Sequence, residues 1–180
     1  MKWMTGALVA LLTVGCVGVA IAKTPPTGGW LAGKSLVKGA KVLIVPLADG
    51  SEREEGVAAG SGTALTAAIR DYLMSKGLTA IVGDARKLDE AFTQAEKLGC
   101  HYVVRAAITE WEDNATAWSG KSDVLGLSFE LFEVAAKEPA ATCSCRRRSP
   151  SFTLASNKPE ELIARALSDC PGILFGEKSR

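Results

Sequence analysis

The sequence predicts an α/β (α+β) domain: a single mixed sheet of about five strands in the order β-α-β-α-β-β-β-α, with helices packed on it. Three observations predict it. Short β-branched runs alternate with stretches of helical periodicity between residues 41 and 98. Strand patterns then follow one another without a helix between them, as in an antiparallel meander. A capped amphipathic stretch closes the chain.

Lys41-Val-Leu-Ile-Val-Pro-Leu47 is a near-continuous β-branched run, the pattern of a strand covered on both faces, and Pro46 marks where its pairing stops. Ala48 to Gly60 is polar, contains Ser51-Glu52-Arg53-Glu54-Glu55 and reads as an exposed loop. Thr63 to Lys76 is a helix, with Leu65, Ile69, Tyr72 and Leu73 at helical spacing, Ser61 as its cap and Gly77 as its C′ glycine. Leu78 to Val82 is a second strand. Lys87 to Leu98 is a second helix, with Leu88, Ala91, Phe92, Ala95 and Leu98 on one face, Asp84 as cap and Gly99 as terminator.

Tyr102 to Trp111 is a third strand and Val124 to Val134 a fourth, the latter alternating Leu125, Leu127, Phe129 and Leu131 with Gly126, Ser128 and Glu130. Ala140 to Arg147 is a mostly polar fifth strand, placed near an edge of the sheet. Lys158 to Asp169 is the last helix, with Asn157 as cap, Pro159 in its first turn and Leu162, Ile163, Ala166 and Leu167 as its buried stripe. Pro171-Gly172 ends it.

The N-terminus reads as an export leader. Lys2 precedes an uncharged, apolar run from Met4 to Ala22. Two processing sites compete. Ala20-Ile21-Ala22 is an A-x-A site, and Thr13-Val14-Gly15-Cys16 is a lipobox-like sequence with Cys16 as the lipidation candidate, although Thr13 stands where leucine is usual. An uncleaved anchor ranks third, since about 20 apolar residues span a bilayer. All three readings put the domain outside the cytoplasm, on the periplasmic side of a bacterial envelope, soluble or membrane-anchored. The organisation is then a leader over 1–22, a Pro/Gly linker over 23–40 on which Trp30 and Leu31 are able to dock, the domain over 41–175 and a tail over 176–180. With 21 basic and 20 acidic residues, one of the basic ones in the leader, the chain lacks the basic field of a nucleic-acid binder.

The segment Trp111-Glu112-Asp113-Asn114-Ala115-Thr116-Ala117-Trp118-Ser119-Gly120, together with Gly60-Ser61-Gly62, resembles a family of uncharacterised bacterial envelope lipoproteins with a Gly-Ser-Gly helix start and a W-E-D-x-A-T-x-W-S-G loop. The resemblance runs from about Val42 to Ile173. More distantly, the element order is similar to the α/β domains of curli-export, penicillin-binding-protein-activator and TolB N-terminal types. The resemblance implies a lipid-anchored envelope protein with no established enzymatic activity, no cofactor, and an envelope protein or cell-wall component as partner. Thr142-Cys-Ser-Cys-Arg-Arg-Arg148 departs from the family pattern.

The candidate ligand-binding residues are Trp111, Glu112, Asp113, Trp118, Ser119, Gly120 and Ser61. Two tryptophans clamp a sugar or peptide when their faces are open, with the acids accepting hydrogen bonds. The structural alternative, preferred two to one, folds the tryptophans over the sheet end to pin a long hairpin loop. Glu110, Glu112 and Asp113 as catalytic carboxylates for glycoside hydrolysis form a weaker alternative. Gly60-Ser61-Gly62 lacks the third glycine of a dinucleotide loop, Leu65 standing in its place, and reads as a flexible entry to a capped helix. Cys100, Cys143, Cys145 and Cys170 are disulfide candidates, with Cys100–Cys170 or two long-range bridges both open. Zinc at Cys143, Cys145, Cys100 and His101 is disfavoured, because neighbouring strand residues point to opposite faces. His101 is the one histidine and reads as structural. Arg146-Arg147-Arg148 reads as a charged strand that blocks unwanted pairing. No catalytic constellation emerges.

The leader makes a prediction. The intact mass of the protein produced in a bacterial host falls below that of the full chain, by residues 1–22 for cleavage after Ala22, or by residues 1–15 with an added diacylglyceryl group for Cys16. A mass equal to the whole chain discards both processing sites.

Overall fold

The computed structural model describes residues 25–52, 56–114, 121–149 and 158–176. The most completely buried strand is β2 (Lys41–Ile44), whose Val42, Leu43 and Ile44 are completely buried. Such a run is apolar on both sides because each side meets a different core layer. From β2 the chain makes two crossovers. Helix α1 (Ser61–Ser75) returns it to β5 (Thr79–Val82), and helix α2 (Leu88–Lys97) carries it to β6 (Tyr102–Glu112). Both β5 and β6 pair with β2 in parallel, one on each side. Consecutive crossovers that leave in opposite directions along a sheet put their helices on opposite faces when both are right-handed. The cores show this: Val42 and Ile44 pack on the α1 side with Leu65, Ile69 and Leu73, and Leu43 packs on the α2 side with Ala91, Phe92 and Ala95.

The second half is antiparallel. β7 (Val124–Glu133) pairs with β6, and β8 (Glu138–Arg148) pairs with β7. Leu125, Leu127, Phe129 and Leu131 of β7 face the α1 layer, as their alternation predicts. The chain then covers that face with α3 (Ile163–Asp169), whose Ile163, Ala166 and Leu167 are buried. The helix–strand alternation and the meander are therefore as expected, in a sheet of six strands in which Thr27–Trp30 lies at one edge, followed by β8, β7, β6, β2 and β5.

The sixth strand comes from the Pro/Gly stretch. β1 (Thr27–Trp30) adds antiparallel to β8 along residues 141–144, so β8 lies one place in from the edge. Trp30 secures the addition: its indole Nε1 donates to the Leu174 carbonyl at 3.0 Å, and its ring meets Tyr102 edge to face at 6.5 Å. Leu31 stays 41% exposed, so only the tryptophan docks by its side chain.

Other expectations need correction. The polar stretch before α1, read as a loop, contains a small hairpin of β3 (Gly50–Glu52) and β4 (Gly56–Ala58). Asp84 does not cap α2: the cap position is Lys87, without a side-chain hydrogen bond, and Gln94 reaches back instead to accept from the Asp84 amide at 3.2 Å. The last helix begins later than predicted. Pro159 opens a 3-10 turn, Pro159–Leu162, ahead of α3, and a second 3-10 turn, Pro171–Phe175, follows it. Asn157 lies outside the described residues. Gly77 and Gly99 do end their helices, in the left-handed conformation at φ 79° and 65° that a side chain would resist.

The arginine run also differs from the expected charged strand. Alternation sends Arg146 to one face, where it pairs with Glu110, and Arg147 to the other, where it forms a buried ion pair with Asp169 of α3. Arg147 and Asp169 are 8% and 3% exposed. A pair removed from water this completely destabilises strongly when one partner is lost, because the other charge is then stranded. Asp169→Ala should therefore cost about 3–5 kcal/mol in urea unfolding. Arg105→Ala, which breaks the half-exposed pair with Glu130, should cost under about 1 kcal/mol. Equal costs for the two would remove the buried pair from the account of how α3 is held.

Candidate functional site

The tryptophan segment leaves the end of β6 and returns at the start of β7. The part of β6 that leads into it contains one irregularity. Along β6 the pairing runs Ala106 with Phe129 and Ile108 with Leu127, then jumps to Glu110 with Gly126 and Trp111 with Leu125. Thr109 is the extra residue of a β-bulge. Before the bulge, even-numbered residues such as Val104 and Ala106 face the α1 layer; after it, odd-numbered Trp111 does. A one-residue shift exchanges the two faces of a strand. Trp111 thus enters the core at 3% exposure and Glu110 turns to the opposite face.

Gly126 makes room for the bulge. A Cβ there would lie 2.4 Å from Thr109 Oγ1 and 3.0 Å from the Glu110 amide nitrogen. Gly50 of β3 lies close on the other side, where a Cβ would sit 2.8 Å from Ile108 Cγ2 and 3.1 Å from Trp111 Cβ. The hairpin therefore lies directly over Ile108 and Trp111.

The acids of the segment divide. Glu110 is held in a two-pronged ion pair by Arg146, with Nη2 donating to Oε1 at 2.7 Å and Nε to Oε2. These hydrogen bonds, more than the partial burial that opposes them, raise the Arg146 pKa above its ordinary value. Glu110 is thus committed to a cross-strand pair. Glu112 is half-buried at the end of β6 and Asp113 is exposed just beyond it. Trp118, Ser119 and Gly120 lie outside the described residues. A two-tryptophan clamp is not what the structure builds: the faces of Trp111 belong to the core.

The neck of the segment is a polar network. Asp123, completely buried, accepts at Oδ1 from the Asn114 amide at 2.8 Å and at Oδ2 from the Ser149 hydroxyl at 3.0 Å. Its own amide donates to Ser149 Oγ at 2.9 Å, and its carbonyl accepts from the Ser149 amide at 3.0 Å. Asn114 Nδ2 donates to the Ser122 carbonyl at 2.8 Å. Asn114 is thereby tied to Ser122 and Asp123, and Asp123 to Ser149 at the end of β8. Sequence reading missed Asp123, Asn114 and Ser149. Their signal is weak: an Asx residue on each side of a polar stretch, and a serine distant in sequence.

The Gly60-Ser61-Gly62 element resolves differently from the expectation. Gly60, at φ 84°, is the N-cap residue, and Ser61 is the first residue of α1, 3% exposed. Its hydroxyl accepts from the Gly50 amide at 2.9 Å, so Ser61 neither caps its own helix nor faces a ligand. The cap is supplied by Asp49, whose Oδ1 accepts from the Gly62 amide at 2.8 Å and Oδ2 from the Gly60 amide at 3.2 Å. A carboxylate on the free amides of a helix start is the arrangement that binds phosphate elsewhere, filled here from within the chain. Gly62 is required because a Cβ would lie 2.5 Å from the Leu47 carbonyl oxygen.

The cysteines separate by face. Cys100 lies in the α2 layer, whereas Cys143, Cys145 and Cys170 lie in the α1 layer. The sheet stands between them, which excludes Cys100–Cys170, and among the described residues Cys100 has no cysteine partner in its own layer. Burial pushes the Cys100 thiol pKa up. His101 is exposed, and its Nδ1 accepts from the Lys41 amide at 3.2 Å.

With this geometry in place the comparisons are informative. Residues 34–171 match DUF4823, a domain of unknown function. The chain belongs to the DUF4823 family. No curated protein matches it. Among solved structures, this DUF4823 chain is similar to the PelC dodecamer from Paraburkholderia phytofirmans, with 23% identity, a TM-score of 0.58 and coverage of 80% of this chain and 96% of that one. It is also similar to the hypothetical protein CT253 from Chlamydia trachomatis, with 15% identity, a TM-score of 0.51 and coverage of 78% and 98%. Lipoprotein GNA1162 from Neisseria meningitidis is more distant, with 15% identity, a TM-score of 0.45 and coverage of 72% and 94%. At these identities the PelC and CT253 likenesses establish a shared fold.

Two substitutions test the site. Gly126→Ala pushes against the Glu110 backbone and should cost about 1–3 kcal/mol, with a red shift of tryptophan emission as Trp111 loses its seat. Asp49→Ala should cost about 1 kcal/mol, from loss of the α1 cap, without that red shift. Chemical unfolding followed by fluorescence reads both. An unshifted emission in Gly126→Ala would mean the bulge does not position Trp111.

Proposed function

We propose that this DUF4823 protein is a non-enzymatic, exported envelope protein, soluble or lipid-anchored, that acts by binding an envelope protein or cell-wall component through the segment between Asn114 and Lys121. One observation carries the reading: a fully buried carboxylate, Asp123, is spent on holding both ends of that segment. Fixed loop ends reduce the ordering that recognition requires, and loops on rigid scaffolds are where recognition residues concentrate. The segment so held contains Trp118, an aromatic of the kind that anchors interfaces. The apolar leader with Lys2 and Cys16 supports the export reading. Among the described residues no helix is long and apolar enough to cross a membrane.

The ion pairing of Glu110 supports the non-enzymatic part, since it engages one of the three acids considered for hydrolysis. Burial of Trp111 removes one of the two rings considered for a glycan or muropeptide.

Crosslinked pulldown from envelope extract tests the reading. The wild-type chain should recover a defined partner, and Trp118→Ala should reduce its recovery at least tenfold while unfolding as the wild type does. Equal recovery by both, or none by either, argues against it. Quenching of tryptophan fluorescence by muropeptides, absent in Trp118→Ala, would transfer the role to the glycan alternative.

A further inference from the structure

Three of the domain's cysteines meet on one face of the sheet. Cys143 and Cys145 stand two residues apart on β8 and therefore point the same way. Both are buried, and Cys170, directly after α3, is completely buried in the same core. All three are free thiols, and the Cys143 and Cys145 thiols, with burial after them, push the Cys170 thiol pKa up. The Cys145 Sγ lies 3.4 Å from the Ala166 carbonyl oxygen, which also accepts from the Cys170 amide at 2.8 Å. One step further along the same face, Arg147 pairs with Asp169. The inner face of β8 and the segment 166–170 thus form one seam, held in register at Arg147–Asp169, with the three sulfurs beside it.

We propose that this trio is an oxidation site, in which Cys170 forms a disulfide with Cys143 or Cys145 and so staples α3 to β8, while the remaining β8 thiol stays reduced beside the bond. A bridge between Cys143 and Cys145 is disfavoured, since strand residues two apart have Cα atoms about 6.7 Å apart, at the upper limit for a disulfide, with parallel side chains. Cys100 is excluded by the intervening sheet.

The chemistry is two thiol–disulfide exchanges. A protein thiolate attacks an acceptor disulfide, carried by a dithiol–disulfide exchange protein or by a small disulfide such as glutathione disulfide. A mixed disulfide forms and one acceptor thiol leaves. The second protein thiolate attacks the protein sulfur of that mixed disulfide and releases the other acceptor thiol. The two cysteines lose two electrons and two protons, and the acceptor disulfide gains them. The third thiol then allows an internal exchange: its thiolate attacks the Cys170 sulfur, the bridge moves from one β8 cysteine to the other, and no electrons are gained or lost.

Timing follows from burial. In the folded chain the neighbouring thiols, and burial after them, hold the Cys170 pKa far above the ordinary thiol range. The attacking thiolate is therefore scarce once α3 has docked, and oxidation belongs to the folding chain. The cellular setting rests on the export reading above, because a disulfide persists in an oxidising compartment.

The test uses the purified chain, so its outcome is separate from that of the partner reading. The reduced, unfolded protein is refolded with glutathione and glutathione disulfide, alkylated with iodoacetamide, and digested with trypsin. The expected product links peptide 138–146, which carries Cys143 and Cys145, to peptide 166–178, which carries Cys170, with the Cys100 peptide 98–105 alkylated. Cys143→Ala and Cys145→Ala should each keep the link, and the double variant should lose it. The bridged protein should melt roughly 10 °C above the reduced one. Oxidation of the already folded, reduced protein should be at least tenfold slower than oxidation during refolding. A link that includes peptide 98–105, a bridge within peptide 138–146, or alkylation of all four cysteines would overturn the proposal.

Discussion

The β-bulge at Thr109 is the constraint on which the rest of this domain turns. One inserted residue, opposite a glycine that alone leaves space for it, exchanges the faces of β6 near its end. Trp111 goes under the β3–β4 hairpin and Glu110 goes to the polar face, where Arg146 of β8 meets it. Without the shift, alternation would send a tryptophan to the polar face and a carboxylate into the core, at several kcal/mol for an unpaired buried charge. The places of Trp111 and Glu110 follow from that single exchange.

The same side of the sheet shows how the C-terminal segment closes the fold. β8 presents Cys143, Cys145 and Arg147 inward, and α3 meets them with Ala166, Asp169 and Cys170. A short helix buries little apolar surface by itself, and the ion pair adds direction to a contact that hydrophobic packing would leave loose. Where Cys170 is bridged to β8, the seam becomes covalent. β1 completes that end of the sheet, with Trp30 bonded to Leu174 and packed on Tyr102, so the Pro/Gly approach to the domain is part of its structure.

The recognition segment proposed above is attached at the end of the sheet where β6 and β7 meet. Two places there resemble ligand sites. The α1 N-terminus is filled by Asp49, and the face of Trp111 is closed by the core. Beside them, Asn114 and Asp123 are joined to each other and to Ser149 in a polar network with each Asp123 carboxylate oxygen engaged. Fully satisfied buried networks of this kind fix one geometry, because any alternative leaves a polar group unpaired. This supports the recognition role proposed for the segment.

The sequence by itself determined the order of the elements from β2 onward apart from the β3–β4 hairpin and the 3-10 turns, the covered faces of β2 and β7, the C′ glycines after α1 and α2, and the amphipathic faces of the helices. Each of these is a local or periodic property: β-branched runs, spacing of apolar residues, a glycine at a left-handed position. It marked the tryptophan segment without assigning its parts. Only the tertiary structure decided that Trp111 is core, that Glu110 belongs to Arg146, that Asp49 and not Ser61 caps α1, and that the Pro/Gly stretch becomes β1. It alone separated Cys100 from the other three thiols. These depend on a one-residue change of register and on contacts between residues far apart in sequence, and neither leaves a periodic trace that a chain read in order can show.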